Sequence, residues 1–370
     1  MNPTAWRALV AIFVFSSGTA MGAVAFAALL EITGAEWAGR LRLTAEAFRR
    51  FLPASLLLYA VLLVGASALY PWIAHPSRTP WLRFWPLALR DAAGLIVVYA
   101  AANWFCARSD PDRSSSVEPP ASASAVPRRG KRAVIFLIVY AVGGSLLIVD
   151  VLMSLEPSWT STLFPAYVLT ASLYTGIAAV VIVSAWSAPP EILDGPRAND
   201  AGNLLLGFAL VWMYLLWSQF LVIWYGNLTE EVGYLIRRFE HGWRLLAWTV
   251  IAMRFLAPCV VFLGRRGRRR QPLVATSALI VVGFLLECFL LVGPRQALTD
   301  QPSAASGCAD PLPGTLLPLP SRRGSAQDDL AAPGPRPSAL RVSWARRGSA
   351  TAACPGRSAA GSSDDGSSSP

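Results

Sequence analysis

Eight long apolar runs constrain this chain more than any other feature. They lie at about residues 8–30, 51–69, 87–106, 133–153, 164–186, 203–225, 243–263 and 273–293. Each is close to the roughly 20 residues that a helix needs to cross the hydrocarbon of a bilayer. The runs are continuous rather than alternating in polarity, which excludes a closed transmembrane barrel. Of the 370 residues, 54% are hydrophobic and only 15% charged, too little charge to cover a water-soluble surface of this size. The expected fold class is an all-α integral membrane protein with about eight transmembrane helices.

Only Arg7 precedes the first run, and seven more runs follow it, so a retained first helix is expected rather than a cleaved signal peptide. The loops after the first, third, fifth and seventh runs hold 16 Lys and Arg, more than twice the number at the opposite ends. Positive residues stay on the cytoplasmic side, so the amino terminus is expected outside. A segment at 36–50 (EWAGRLRLTAEAFRR) alternates apolar residues with Arg and predicts an interfacial helix on the cytoplasmic surface.

The loop at 187–202 (SAPPEILDGPRANDAG) contains Pro-Pro and Gly-Pro and divides the helical region into residues 1–186 and 187–293. From residue 294 to 370 the chain is rich in Ser, Pro, Gly, Ala and Arg with almost no aromatic residue. Such a composition cannot bury enough apolar surface to offset its ordering entropy, which predicts a disordered low-complexity tail.

A charged side chain inside an apolar run is costly, so it faces the protein interior, a water-filled cavity or a partner. Asp150 near the end of the fourth run has no cation beside it in sequence and reads as a functional carboxylate. Glu156 follows in the connector MSLEPSWTST (153–162), and an acid pair at a membrane boundary suggests proton handling. Asp91, beside Arg90, reads either as an interface-level pair or as a third acid at the same depth. Arg254 and Glu287 fall on adjacent antiparallel helices and are expected as a structural intramembrane pair ahead of proton carriers, and both stay among the proton-relay candidates.

In YPWIAH (70–75), Tyr70 and Trp72 predict an aromatic belt with an exposed His75, which stays on the list of proton-relay candidates because histidine titrates near neutrality. Trp212, Trp217 and Trp224 recur on the sixth run with Gln219. They are expected to face lipid or to pack, in preference to forming a quinone platform. Five cysteines (106, 259, 288, 308 and 354) show no metal-ligand spacing and no CxxCH, and His75 and His241 both fall in loops. No haem, metal or other redox centre is expected on this chain.

Three stretches together go beyond composition: LPASLLLYAVLLVGASALYPW (52–72), VDVLMSLEPSWTSTLFPAYVLTAS (149–172) and NLLLGFALVWMYLLWSQFLVIWYGNLTEE (203–231). They resemble the NrfD-like membrane subunits of alternative complex III, and most closely the F-type subunit, across about residues 5–293. Its pattern includes an acid followed by MSLEPxWxST and a WxQFLIIWxGNLPEE-like segment, in which Thr229 here replaces the proline.

The resemblance implies two four-helix bundles and membership of a bacterial respiratory quinol:electron-acceptor oxidoreductase in the inner (cytoplasmic) membrane. Such a complex oxidises quinol and passes electrons through partner subunits, a multihaem cytochrome c and an iron–sulfur protein, alongside a second NrfD-like subunit. Haem c and the iron–sulfur clusters would reside in those partners, with quinol or quinone the one small molecule this chain could meet. No nucleic acid is implied, and membrane lipid is the remaining partner. In that setting Asp150 and Glu156 match the family's acidic positions, and proton translocation or quinol oxidation becomes the expected role. Two other functions fit the same apolar pattern: a quinone-binding anchor of another iron–sulfur molybdoenzyme-like complex, and a stand-alone secondary transporter. Against the transporter, no inverted repeat or matched pair of broken helices is visible.

Overall fold

In a computed structural model of the chain, eight helices have the length and apolarity needed to cross a membrane. They are α1 (Pro3–Ile32), α2 (Gly39–Val64), α3 (Phe84–Cys106), α4 (Arg128–Val151), α5 (Phe164–Ser187), α6 (Pro196–Gly226), α7 (Trp243–Leu263) and α8 (Arg270–Val292). A short helix, Thr229–Phe239, lies between α6 and α7. The structure describes residues 3–74, 81–107, 128–157, 159–187, 193, 195–227, 229–239, 242–264 and 269–293. The tail from 294 lies outside them. No strand occurs among the described residues, and the chain is an all-α, multi-pass membrane protein.

α1 and α5 form the middle. In their most apolar windows 72% and 67% of residues are buried, against 22–44% in the other six spans. Lipid is as apolar as leucine, so helices associate in a bilayer through close packing of small residues. Here Gly18 and Gly22 of α1 meet Ser172 and Gly176 of α5. A Cβ added at Gly22 would come 2.1 Å from the Ser172 carbonyl oxygen, and one at Gly176 would come 2.3 Å from the Ala23 nitrogen. The two backbones touch because only glycines and the small Ser172 stand at the crossing.

Around this seam the two halves repeat one layout. α1 packs against α2 and α4, and α5 packs against α6 and α8; α3 pairs with α4 as α7 pairs with α8. The α1–α4 and α5–α8 groups are thus two four-helix bundles run in the same chain direction. Leu57, Ile96, Ile138 and Val222 stand exposed on outward faces, as expected where lipid is the solvent.

Two expectations are corrected. Residues 36–50 form no separate interfacial helix: Gly39–Ala47, a 3-10 turn at Phe48–Phe51 and Leu52–Val64 run on as one span. Leu41, Ala45 and Glu46 are buried there, and Arg42 is ion-paired inside the protein rather than lying on the surface. Tyr70 and Trp72 form no exposed belt either; both are buried. The Tyr70 hydroxyl donates to the Val151 carbonyl at 3.2 Å, and the Trp72 indole donates to the Ser154 carbonyl at 3.2 Å. They satisfy backbone oxygens left open where α4 ends.

α7 is locally widened into a π turn at Ala252–Leu256. The cause is Pro258, which has no N–H to give the Arg254 carbonyl four residues earlier. The Tyr174 hydroxyl of α5 supplies that hydrogen bond instead, at 3.0 Å.

Candidate functional site

The end of the bundle that carries the N-terminus also carries the ends of α2, α4, α6 and α8 and the starts of α3, α5 and α7. Asp150, Asp91, Glu156 and Glu287 sit in this half, and Arg254 lies at the middle of α7. His75 lies outside the described residues.

Asp150 is fully buried and Asp91 is 3% exposed, so both carboxyls face the interior of the first bundle. Arg90 does not pair with its neighbour Asp91. It reaches across from α3 to α4, with Nη2 at 2.6 Å and Nε at 2.7 Å from Asp150 Oδ2. The Trp81 indole donates to Asp150 Oδ1 at 3.1 Å, and its ring lies under the Arg90 guanidinium, 3.8 Å from the ring centre. Asp150 therefore has a cation that its own run did not reveal.

Asp91 accepts from the Tyr59 hydroxyl of α2 at 3.3 Å, and its carboxyl interacts with that of Asp150. Consecutive residues on a helix point about 100° apart. Arg90 and Asp91 thus serve different neighbours although adjacent in sequence. One arginine faces two buried acids. Just outside the span, burial and the charges of Asp91 and Asp150 push the Tyr70 phenol upward, so it stays a neutral donor.

Hydroxyls continue inward from this acid pair. Ser55 on α2 lies 2.5 Å from the Tyr99 hydroxyl of α3, and Tyr99 also interacts with Ser17 of α1. A cavity of about 70 Å³ opens beside them, between α1, α3, α4 and α5. The buried Tyr140 hydroxyl on its wall has no hydrogen-bond partner among the described residues. Ser17, Tyr99, Tyr140 and Ser172 carry the hydroxyls on an otherwise apolar wall.

Glu156 leaves the membrane level and closes a clasp between the halves. It forms an ion pair with Arg237 and a longer one with Arg238 at 3.7 Å, both on the short helix Thr229–Phe239. Trp159 of the same connector stacks on Tyr234, with ring centres 3.7 Å apart and planes 4° apart; Arg238 covers Tyr234, 3.4 Å from its ring centre. Burial pushes the Tyr234 phenol up, while the Arg238 charge opposes that shift; burial likewise pulls the Arg238 guanidinium down. Glu156 is not brought to the acid pair.

In the second bundle Arg254 and Glu287 meet across α7 and α8 at 2.8 Å, exposed 0% and 1%. Glu287 Oε1 accepts from the Tyr167 hydroxyl and from the Trp212 indole, the latter at 3.1 Å. Arg254 also donates to the Ala171 carbonyl at 3.1 Å, and the rings of Tyr174, Trp212 and Phe284 surround its guanidinium. Both carboxylate oxygens of Glu287 and both terminal nitrogens of Arg254 thus have partners, while Arg254 Nε has no hydrogen-bond partner among the described residues. The pair repeats the first bundle's plan, a cation on the third helix and an acid on the fourth. Trp212 is buried core, whereas Trp217 and Trp224 are 53% and 65% exposed.

A second ion cluster, at the opposite end, consists of residues that are not among the sequence-derived candidates. Arg42 bonds Glu31 at 2.8 Å, Arg129 approaches Glu31 at 3.1 Å, and Arg129 and Glu46 form a short ion pair. Glu31 ends α1 and Glu46 lies inside a segment read as surface helix. The usable signal was the return of two acids to one face within a 16-residue stretch between spans. Among the described residues no cluster of His, Cys, Asp and Glu could hold a metal ion. No family model matches this chain, and no curated protein matches it in sequence.

Proposed function

We propose that this chain is a membrane subunit of a bacterial respiratory quinol:electron-acceptor oxidoreductase of the alternative complex III kind, in the F-type position, and that its first bundle moves protons. The observation that carries the proton role is the buried Asp91–Asp150 pair facing a single arginine. Arg90 offsets one negative charge, so the two carboxyls together have room for one exchangeable proton. Asp150 also opens the acid–MSLEPSW motif on which the family resemblance rests.

The path runs through Tyr59, the Ser55–Tyr99 pair and the cavity lined by Tyr140, each able to accept one proton and release another. Below Ser55 the nearest acid on the same helix is Glu46, nine residues away and about 13 Å along the axis. No carboxyl lies between them on that helix, so the path is a half-channel from the N-terminal end to mid-membrane. With positive loops cytoplasmic, that end is periplasmic, the side to which quinol oxidation releases protons.

Mild-detergent extraction from the native membrane, with mass spectrometry of the co-purifying chains, tests the assignment. Multihaem cytochrome, iron–sulfur protein and a second NrfD-like chain are expected. A chain that emerges alone and transports a solute would replace this function with that of a secondary transporter.

A further inference from the structure

A cavity about four times the volume of the one in the first bundle lies in the second. A space of about 290 Å³ lies among α5, α6, α7 and α8, with the short helix Thr229–Phe239 along one side. Its walls are aromatic. Trp217 and Phe220 stack at 5.4 Å between ring centres, and Phe239 meets Trp248 edge-on at 6.4 Å. Trp217 on α6 and Trp248 on α7 are 53% and 59% exposed. The cavity therefore opens sideways between α6 and α7, toward the lipid.

Its polar groups are few and specific. Glu287 is on the wall, but both its oxygens are taken by Tyr167, Trp212 and Arg254. Two donors on the wall remain open: Gln219 Nε2 and Arg238 Nε are buried without a hydrogen-bond partner among the described residues. The Arg238 side chain is more than nine-tenths buried, and its other nitrogens bond the Tyr234 and Leu291 carbonyls at 2.9 Å. A buried donor without a partner is expensive, so something with acceptor oxygens belongs there.

The charges say what kind. Arg254 is neutralised by Glu287, and Arg237 and Arg238 share Glu156. One positive charge remains, and the terminal nitrogens of Arg238 are already given to the Tyr234 and Leu291 carbonyls, which is too little for a phosphate dianion. A neutral, flat ring with carbonyl oxygens fits: its faces meet the aromatic walls and its oxygens accept from Gln219 and Arg238. An apolar tail can leave between Trp217 and Trp248. We propose that this second-bundle cavity binds the ring of an isoprenoid quinone or quinol. The choice of quinone over other neutral carbonyl rings rests on the function proposed above; the cavity and its open donors do not.

A photoreactive azido-quinone tests it on the full chain, in whatever assembly it leaves the membrane. After irradiation, label is expected on peptides spanning residues 203–251, displaced by excess short-tailed quinone. Gln219→Leu is expected to cut that labelling about tenfold, the worth of one buried hydrogen bond. Met213→Trp, which fills the cavity from its wall, should abolish it while labelling elsewhere in the assembly persists. Label confined to other peptides, or labelling in this region indifferent to both substitutions, overturns the site. So does label displaced by anionic phospholipid but not by quinone, which would make the occupant a lipid. If the chain extracts without redox partners yet labels here, the respiratory assignment fails and the cavity assignment stands.

Discussion

Arg90 bridges to Asp150 on the neighbouring helix and leaves Asp91, the acid next to it in sequence, to Tyr59. That crossing couples α3 to α4 through a buried charge pair. Breaking such a pair from one side strands the other charge, whereas removing both members is far milder.

Arg90→Leu alone is therefore expected to lower stability by about 3–5 kcal/mol. Arg90→Leu combined with Asp150→Asn should recover most of that loss. Thermal unfolding of the detergent-solubilised chain measures both. Equal losses in the single and double variants would mean that Arg90 acts through packing on Trp81 and not through Asp150.

Glu287 is held by Tyr167, Trp212 and Arg254, so Glu287→Gln should damage folding more than proton movement. We expect a clear drop in unfolding temperature, with proton release per quinol unchanged in the protein that still assembles. A normal fold with proton release lost would instead place Glu287 on the proton path.

At the α1–α5 seam, Gly22→Leu is expected to abolish the native packing, because a single added Cβ already meets backbone at 2.1 Å. Gly94→Ala is the matched control: nothing lies within 4 Å of its added Cβ. Size-exclusion behaviour and yield after extraction should separate the two. Equal behaviour would show that the two helices do not touch there.

Tyr174→Phe removes the donor that replaces the helix bond lost to Pro258, and should cost about 1 kcal/mol. The cost should shrink when Pro258→Ala restores an amide for the Arg254 carbonyl. A double-mutant cycle on unfolding temperature reads the coupling; strict additivity would mean that the Tyr174 bond does not compensate for the proline.

How much of this was legible depended on whether the signal was local. All eight spans were readable because hydrocarbon thickness imposes a length on each apolar run. Arg254 and Glu287 were also readable as partners, since each is a lone charge on one of two adjacent antiparallel helices. The partner of Asp150 was not, because it depends on how far α3 is rotated, and adjacency in sequence favoured the wrong acid. Tyr70 and Trp72 misled for a related reason: interfacial aromatics and aromatics that cap a buried helix end have the same composition. The paired cation-and-acid plan of the two halves emerges only when helix positions are compared, since the acids differ in type and the loops in length.

The central claim is that the buried acid pair of the first bundle carries protons for quinol oxidation. The most direct measurement is quinol-driven proton release from the purified assembly reconstituted in vesicles, native against Asp150→Asn. We predict that the variant protein that assembles with its full set of subunits releases protons at least several-fold more slowly. Unchanged proton release from a fully assembled Asp150→Asn complex would contradict the account.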